Sequence, residues 1–92
     1  MSVDQAIRER LAALEPHAME LVDESEAHRG HAGYREGGGT HWRLSIVSPR
    51  FTGQSTLARH RMIYQALGSL MQHPIHALAI TARSPEEEKG NR

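Results

Sequence analysis

Hydrophobic and polar positions recur along this chain with two different periods, and the switches between them mark out its elements. In SVDQAIRERLAAL, Val3, Ile7, Leu11 and Leu14 fall at helical spacing. Ser2 and Gln5 stand in the S-x-x-Q relation of a capping box, so a helix is expected from there until Pro16 stops it. AMELVDES then sets Met19 and Leu21 against polar neighbours, the two-residue period of a short strand. From residue 25 to 40 the period disappears, and Gly30, Gly33 and Gly37 to Gly39 make this stretch a long loop.

The strand period returns in HWRLSIVS, where Trp42, Leu44 and Ile46 alternate with Arg43 and Ser45. Pro49 and Gly53 bracket a tight connection. A second helix is expected from Ser55 or Thr56 to about Met71, with Met62, Ile63, Ala66, Leu67 and Leu70 on one face. Pro74 precedes a third strand, HALAITA, and Ser84-Pro85 opens a short final helix. The order is helix, strand, strand, helix, strand, short helix, with no internal repeat. It predicts one α+β domain with helices packed on one face of a small sheet. The second strand, long helix and third strand suit a right-handed parallel crossover.

Composition narrows the function classes. Ninety-two residues suffice for one small domain, and the 38% of apolar residues are concentrated in the periodic segments. No apolar run approaches the roughly 20 residues of a membrane span, and MSVDQAIRER lacks the apolar core of a secretory signal. The chain has no cysteine and hence no disulfide framework, so a cytoplasmic setting is expected. Eleven basic and eleven acidic residues balance to zero formal charge, whereas strong nucleic-acid binders usually carry a basic excess. A DNA-binding role must therefore rest on a local patch. Arg50, Arg59, His60 and Arg61, around the start of the long helix, are the candidates. The plainer alternative is a solvated helix start, or arginine stems packed against the sheet.

Gly37-Gly38-Gly39 lacks the G-x-x-x-x-G-K-[ST] spacing of a phosphate-binding loop and reads as loop freedom. Ser45, Ser48 and Ser55 have no G-x-S-x-G context, and so small a chain does not wall off a deep pocket, so no enzyme is expected. The order of elements is similar to that of RNA-binding KH domains, but one Trp, two Tyr and one Phe provide few surfaces for base stacking.

The seven histidines carry more chemistry, because neutral imidazole is a common metal ligand. His28 and His31 lie three apart in the glycine-rich stretch, and His76 opens the third strand. Each alone suits a surface or capping histidine. Two or three converging would make a metal site, and their spacing leaves open whether they converge.

PRFTGQSTLARHRMIYQAL, followed after a short gap by HALAITA, closely resembles the BolA family. DES-x-x-H from Asp23 to His28, and THWRLSIVS, match the preceding strands of the same family. The resemblance covers about residues 3 to 86. It implies a KH-like α+β domain of the class II type, order αββααβ plus a short C-terminal helix. Its three-stranded mixed sheet would carry the helices on one face, with the extra short helix near Arg50 to Gly53. Residues 1–92 would form a single domain with its core at about 3–86 and a frayed tail at 87–92.

The resemblance further implies an adaptor that binds a monothiol glutaredoxin and co-ligates a bridging [2Fe-2S] cluster in iron–sulfur trafficking and iron regulation. Glutaredoxin and glutathione would supply the thiolates, so a cysteine-free chain still takes part. Imidazole ligation of such a cluster has precedent in Rieske centres. By motif, His76 of HAL is the strand ligand and His28 of DES-x-x-H the loop ligand. The stretch looks about three residues longer than in shorter members, which makes His31 an alternative. His41 of T-H-W matches a family histidine without a ligand assignment. The expected states are a heterodimer with glutaredoxin and, alone, a monomer or weak homodimer, away from membranes. The family is also described as DNA-binding transcriptional regulators of stress, morphology and biofilm responses. In that role the helix carrying Arg59 to Arg61 would face DNA.

Overall fold

The chain enters its first helix through a closed capping box. Gln5 N–H donates to Ser2 Oγ at 3.1 Å, and Ser2 N–H donates to Gln5 Oε1 at 3.2 Å. This computed structural model describes residues 2–25 and 38–90. Helix α1 spans Val3–Leu11 and tightens into a 3₁₀ turn over Ala12–Leu14. Glu15 then takes a left-handed conformation at φ 53°, which turns the chain before Pro16.

Strand β1 (Ala18–Asp23) runs antiparallel to β2 (His41–Val47), and β3 (Ala77–Arg83) lies parallel to β2 on its other side. The sheet is therefore mixed, in the order β1-β2-β3. Helix α2 (Thr56–Leu67) carries the crossover from β2 to β3. Ser55 caps it by accepting the Ala58 N–H at 3.1 Å. Ser84 and Pro85 open α3 (Pro85–Gly90).

Two elements differ from the periodicity. Helix α2, expected to about Met71, ends at Leu67, where Gly68 takes φ 55° and the chain tightens into a 3₁₀ turn over Gly68–Met71. The tight connection expected after β2 contains a 3₁₀ turn over Pro49–Phe51, in which Ser48 Oγ accepts the Arg50 N–H and Phe51 is fully buried. Three residues are too few to show a helical period, so only the resemblance anticipated it. With that turn counted as a helix, the order is the expected αββααβ plus a short last helix, and the small α+β fold is as implied. The tail expected from residue 87 is helical as far as Gly90, because Glu87 is tied back to the domain.

The register decides which face is covered. Trp42 pairs with Leu78, Leu44 with Leu21 and Ile80, and Ile46 with Met19 and Ala82. Alternation puts all of these side chains on one side of the sheet. There they meet Ile7, Leu11, Phe51, Ile63, Leu67 and Ile75, and burial of each large apolar side chain contributes about 1.5–3 kcal/mol. On the opposite face Glu20, Val22, Ala79 and Thr81 are exposed, while His41 and Val47, at the two ends of β2, are buried. Among the described residues, no helix is long and apolar enough to cross a membrane.

Candidate functional site

Two of the candidate histidine positions meet where β2 and β3 begin. Register pairs His41 with Ala77, so His76, one residue before Ala77, lies next to the start of β2. The Thr40 carbonyl accepts the N–H groups of both His76, at 2.7 Å, and Ala77, at 3.1 Å. Backbone bonding thus fixes the point at which the third strand starts. The His41 and His76 rings lie 5.4 Å apart between centroids, tilted by 51°. They differ in access: His41 is 4% exposed, whereas His76 is open to solvent.

A hydrogen-bonded hub lies behind the His41 ring. Its Nδ1 shares a 2.9 Å hydrogen bond with the hydroxyl of Thr40, which is itself fully buried. Ser25 Oγ accepts the backbone N–H of Thr40 at 3.0 Å and that of His41 at 3.2 Å. In turn the Ser25 hydroxyl and N–H donate to Asp23 Oδ1, at 2.6 and 2.9 Å, and Gly39 N–H donates to Oδ2 at 3.0 Å. Burial pushes the Asp23 carboxyl upward. The bonds from the Ser25 hydroxyl, Ser25 N–H and Gly39 N–H, together with the nearby His41, outweigh it and hold the carboxyl below its usual value. The hub ties the end of β1 to the residues that lead into β2.

This geometry revises the reading of the triple glycine. Gly38 and Gly39 sit at φ 82° and 84°, in the region that disfavours side chains. A Cβ on Gly38 would stand 2.8 Å from Asp23 Oδ2. Gly38 is therefore required by its close approach to Asp23 as well as by its φ, and Gly39 by its φ, beyond any general loop freedom.

His28 and His31 lie outside the described residues. Among the described residues, no group of three or more His, Asp or Glu side chains could hold a metal ion. His76 is thus placed as one accessible imidazole donor, with His41 packed beside it. Sequence reasoning left His41 without a role and passed over Thr40, Ser25 and Asp23 as parts of a site. The T-H-W and DES segments were visible, but their contact spans about sixteen residues of chain.

The basic candidates separate. Arg59 turns inward, 8% exposed, and donates to the carbonyls of Gln54 at 2.9 Å and Ala82 at 3.0 Å and to both Glu87 oxygens. Its inclusion in an outward DNA-facing set is corrected by this geometry, since the guanidinium is turned onto the backbone carbonyls of Gln54 and Ala82 and onto Glu87. The Arg59 bonds to Glu87, reinforced by the Ser84 N–H, lower the Glu87 pKa to about 2. Arg50 is exposed and pairs with Glu15 at 2.7 Å. His60 is half-buried and edge-on to Tyr64, while Arg61 is exposed on the outer side of α2.

A sequence profile for the family described as BolA-like protein matches residues 11–87. The chain is 43% identical over 90 residues to mouse BolA-like protein 1, which covers 97% of this chain and 63% of the relative. It is 40% identical over 91 residues to the Escherichia coli (strain K12) DNA-binding transcriptional regulator BolA, covering 98% of this chain and 83% of that protein. Among solved structures, the BolA domain of SufE1 from Arabidopsis thaliana superposes with a TM-score of 0.81 at 41% identity. That match covers 95% of this chain and 96% of the domain. The chain spans a little under two thirds of the length of the mouse, bovine and human relatives, at 63%, 64% and 63%.

Proposed function

The chain belongs to the BolA-like family, and on that premise we propose that it is a non-enzymatic adaptor that binds a monothiol glutaredoxin and co-ligates a bridging [2Fe-2S] cluster. The observation that carries this reading is His76, an exposed imidazole presented from a strand start that two hydrogen bonds to Thr40 hold in place. The donor chemistry fits: neutral imidazole is an accepted ligand for such clusters. The absence of cysteine from the chain means that thiolates must come from the partner and glutathione. His76 would be the strand ligand and His28 or His31 the second. When bound, the cluster supplies redox and transferable iron–sulfur chemistry, and the chain's own part is to bind and orient. The test is to mix the protein with a cluster-loaded monothiol glutaredoxin and record visible absorption and circular dichroism. The wild type is expected to shift the spectrum and His76→Ala to leave it as that of the glutaredoxin alone. An identical spectrum for both proteins in a formed complex overturns the reading.

A second reading is favoured by one relative, the Escherichia coli protein named a DNA-binding transcriptional regulator. Exposed Arg61 on α2 is the side chain best placed for phosphate contact. Absence of DNA binding at moderate salt would remove this reading.

A further inference from the structure

We propose that His41 is a positioning residue for His76: its buried, anchored ring is the wall that selects one orientation of the exposed His76 imidazole. The inference rests on the ligand role proposed for His76. An exposed imidazole on a strand start is ordinarily free to exchange among rotamers, and a ligand must be held close to its productive geometry to bind without a large ordering cost. The backbone bonds from His76 and Ala77 to the Thr40 carbonyl fix the Cα of His76 but not its ring. The His41 ring stands against it, 5.4 Å away between centroids and tilted by 51°.

His41 is suited to be a wall because it is itself immobilised. The ring is almost wholly buried, and its Nδ1 is committed to the Thr40 hydroxyl whichever partner donates. The Thr40 and His41 backbones are in turn held by Ser25 Oγ, and Ser25 by the Asp23 carboxylate. Thr40 therefore acts twice, through its carbonyl on the His76 backbone and through its hydroxyl on the His41 ring. One residue sets both the origin and the heading of the ligand.

The experiment compares His41→Ala, His41→Phe and Thr40→Val in the full chain, free and with the cluster-loaded monothiol glutaredoxin. In the free proteins, NMR three-bond couplings about the His76 χ1 bond report its rotamers, and amide contacts across β2 and β3 report the fold. The wild type should show one rotamer. His41→Ala should show averaged couplings with the strands intact, and His41→Phe, which restores a ring, should return them to near the wild-type value. Thr40→Val keeps the carbonyl and the branched shape but removes the hydroxyl bonded to the His41 Nδ1, and should show partial averaging. It also decides the matter if His41→Ala does not fold. In the complex, His41→Ala should broaden or shift the histidine-dependent spectrum, and His41→Phe should restore it. Unchanged His76 couplings in His41→Ala, or in Thr40→Val where the former is unfolded, overturn the inference. A wild-type complex without any His76-dependent spectrum would overturn the cluster reading instead, while the couplings of the free protein still decide the role of His41.

Discussion

Arg59 and Glu87 form a two-point ion pair that fastens α3 to the start of α2 and the end of β3. The arginine is nearly buried while the carboxylate is half exposed, with side-chain exposures of 10% and 49%. Loss of the arginine therefore costs mainly through the carbonyls of Gln54 and Ala82 that it satisfies. Arg59→Ala should destabilise by about 2 kcal/mol, as expected for a buried donor removed from its acceptors. A midpoint shift in urea at unchanged slope would measure it.

The same pair should make stability depend on acid. Glu87 has its folded pKa lowered to about 2 from an ordinary value of 4.5. A depressed folded pKa means that the unfolded chain binds the proton first, so the contribution is fully present above about pH 4.5 and fades as pH falls towards 2. Thermal midpoints of the wild type and Glu87→Gln, followed from pH 6 to pH 2, should therefore converge at the acid end. A constant gap across that range would contradict the assignment.

Arg61 provides a separate test of the DNA reading, because it is exposed on α2, whereas His41 and His76 sit where β2 and β3 begin. If DNA is bound, Arg61→Ala should reduce the slope of log affinity against log salt by about one. The spectrum of the glutaredoxin complex should not change. A lost spectrum with an unaltered salt slope would reverse the roles given to α2 and to His76.

The three ligand candidates should respond unequally. His76 is presented from a strand start that the Thr40 carbonyl holds in place, whereas His28 and His31 lie three residues apart in sequence, so that one can stand in for the other. Replacing His28 or His31 singly should weaken or shift the cluster spectrum, and the double replacement should match the loss seen for His76→Ala. Circular dichroism in the far ultraviolet establishes that each variant is folded. A single replacement as severe as the double one would identify the sole loop ligand.

Gly38 and Gly53 offer a contrast between conformational strain and close approach. Both have positive φ, 82° and 77°, but a Cβ on Gly53 meets nothing within 4 Å, while one on Gly38 meets the Asp23 carboxylate. Gly53→Ala should cost about 1 kcal/mol from backbone conformation alone. Gly38→Ala should cost roughly 2–3 kcal/mol, because it also disturbs the bonds that hold Ser25 and Gly39. Denaturant melts of both variants give the comparison.

The chain's local periods were enough to locate α1, the three strands and the body of α2, and Ser84-Pro85 marked the last short helix. Burial of Ile7, Leu11 and Leu14, or of Trp42, Leu44 and Ile46, repeats with a spacing that sequence displays directly. The Ser2–Gln5 capping box was legible for the same reason, since both partners lie within one turn. The pattern of HALAITA placed His76 at a strand start, and the motifs that resemble the BolA family added its expected ligand role. What tertiary structure alone decided are relations between residues distant in sequence. The inward turn of Arg59 depends on carbonyls and a carboxylate up to twenty-eight residues away, so its appearance beside Arg61 misled. The partnership of His41 with His76 depends on the parallel register of β2 and β3, and the anchoring of His41 on Ser25, sixteen residues earlier. Hydrogen bonds and ring contacts of that kind follow from where separate elements pack, and no local period in the chain encodes them.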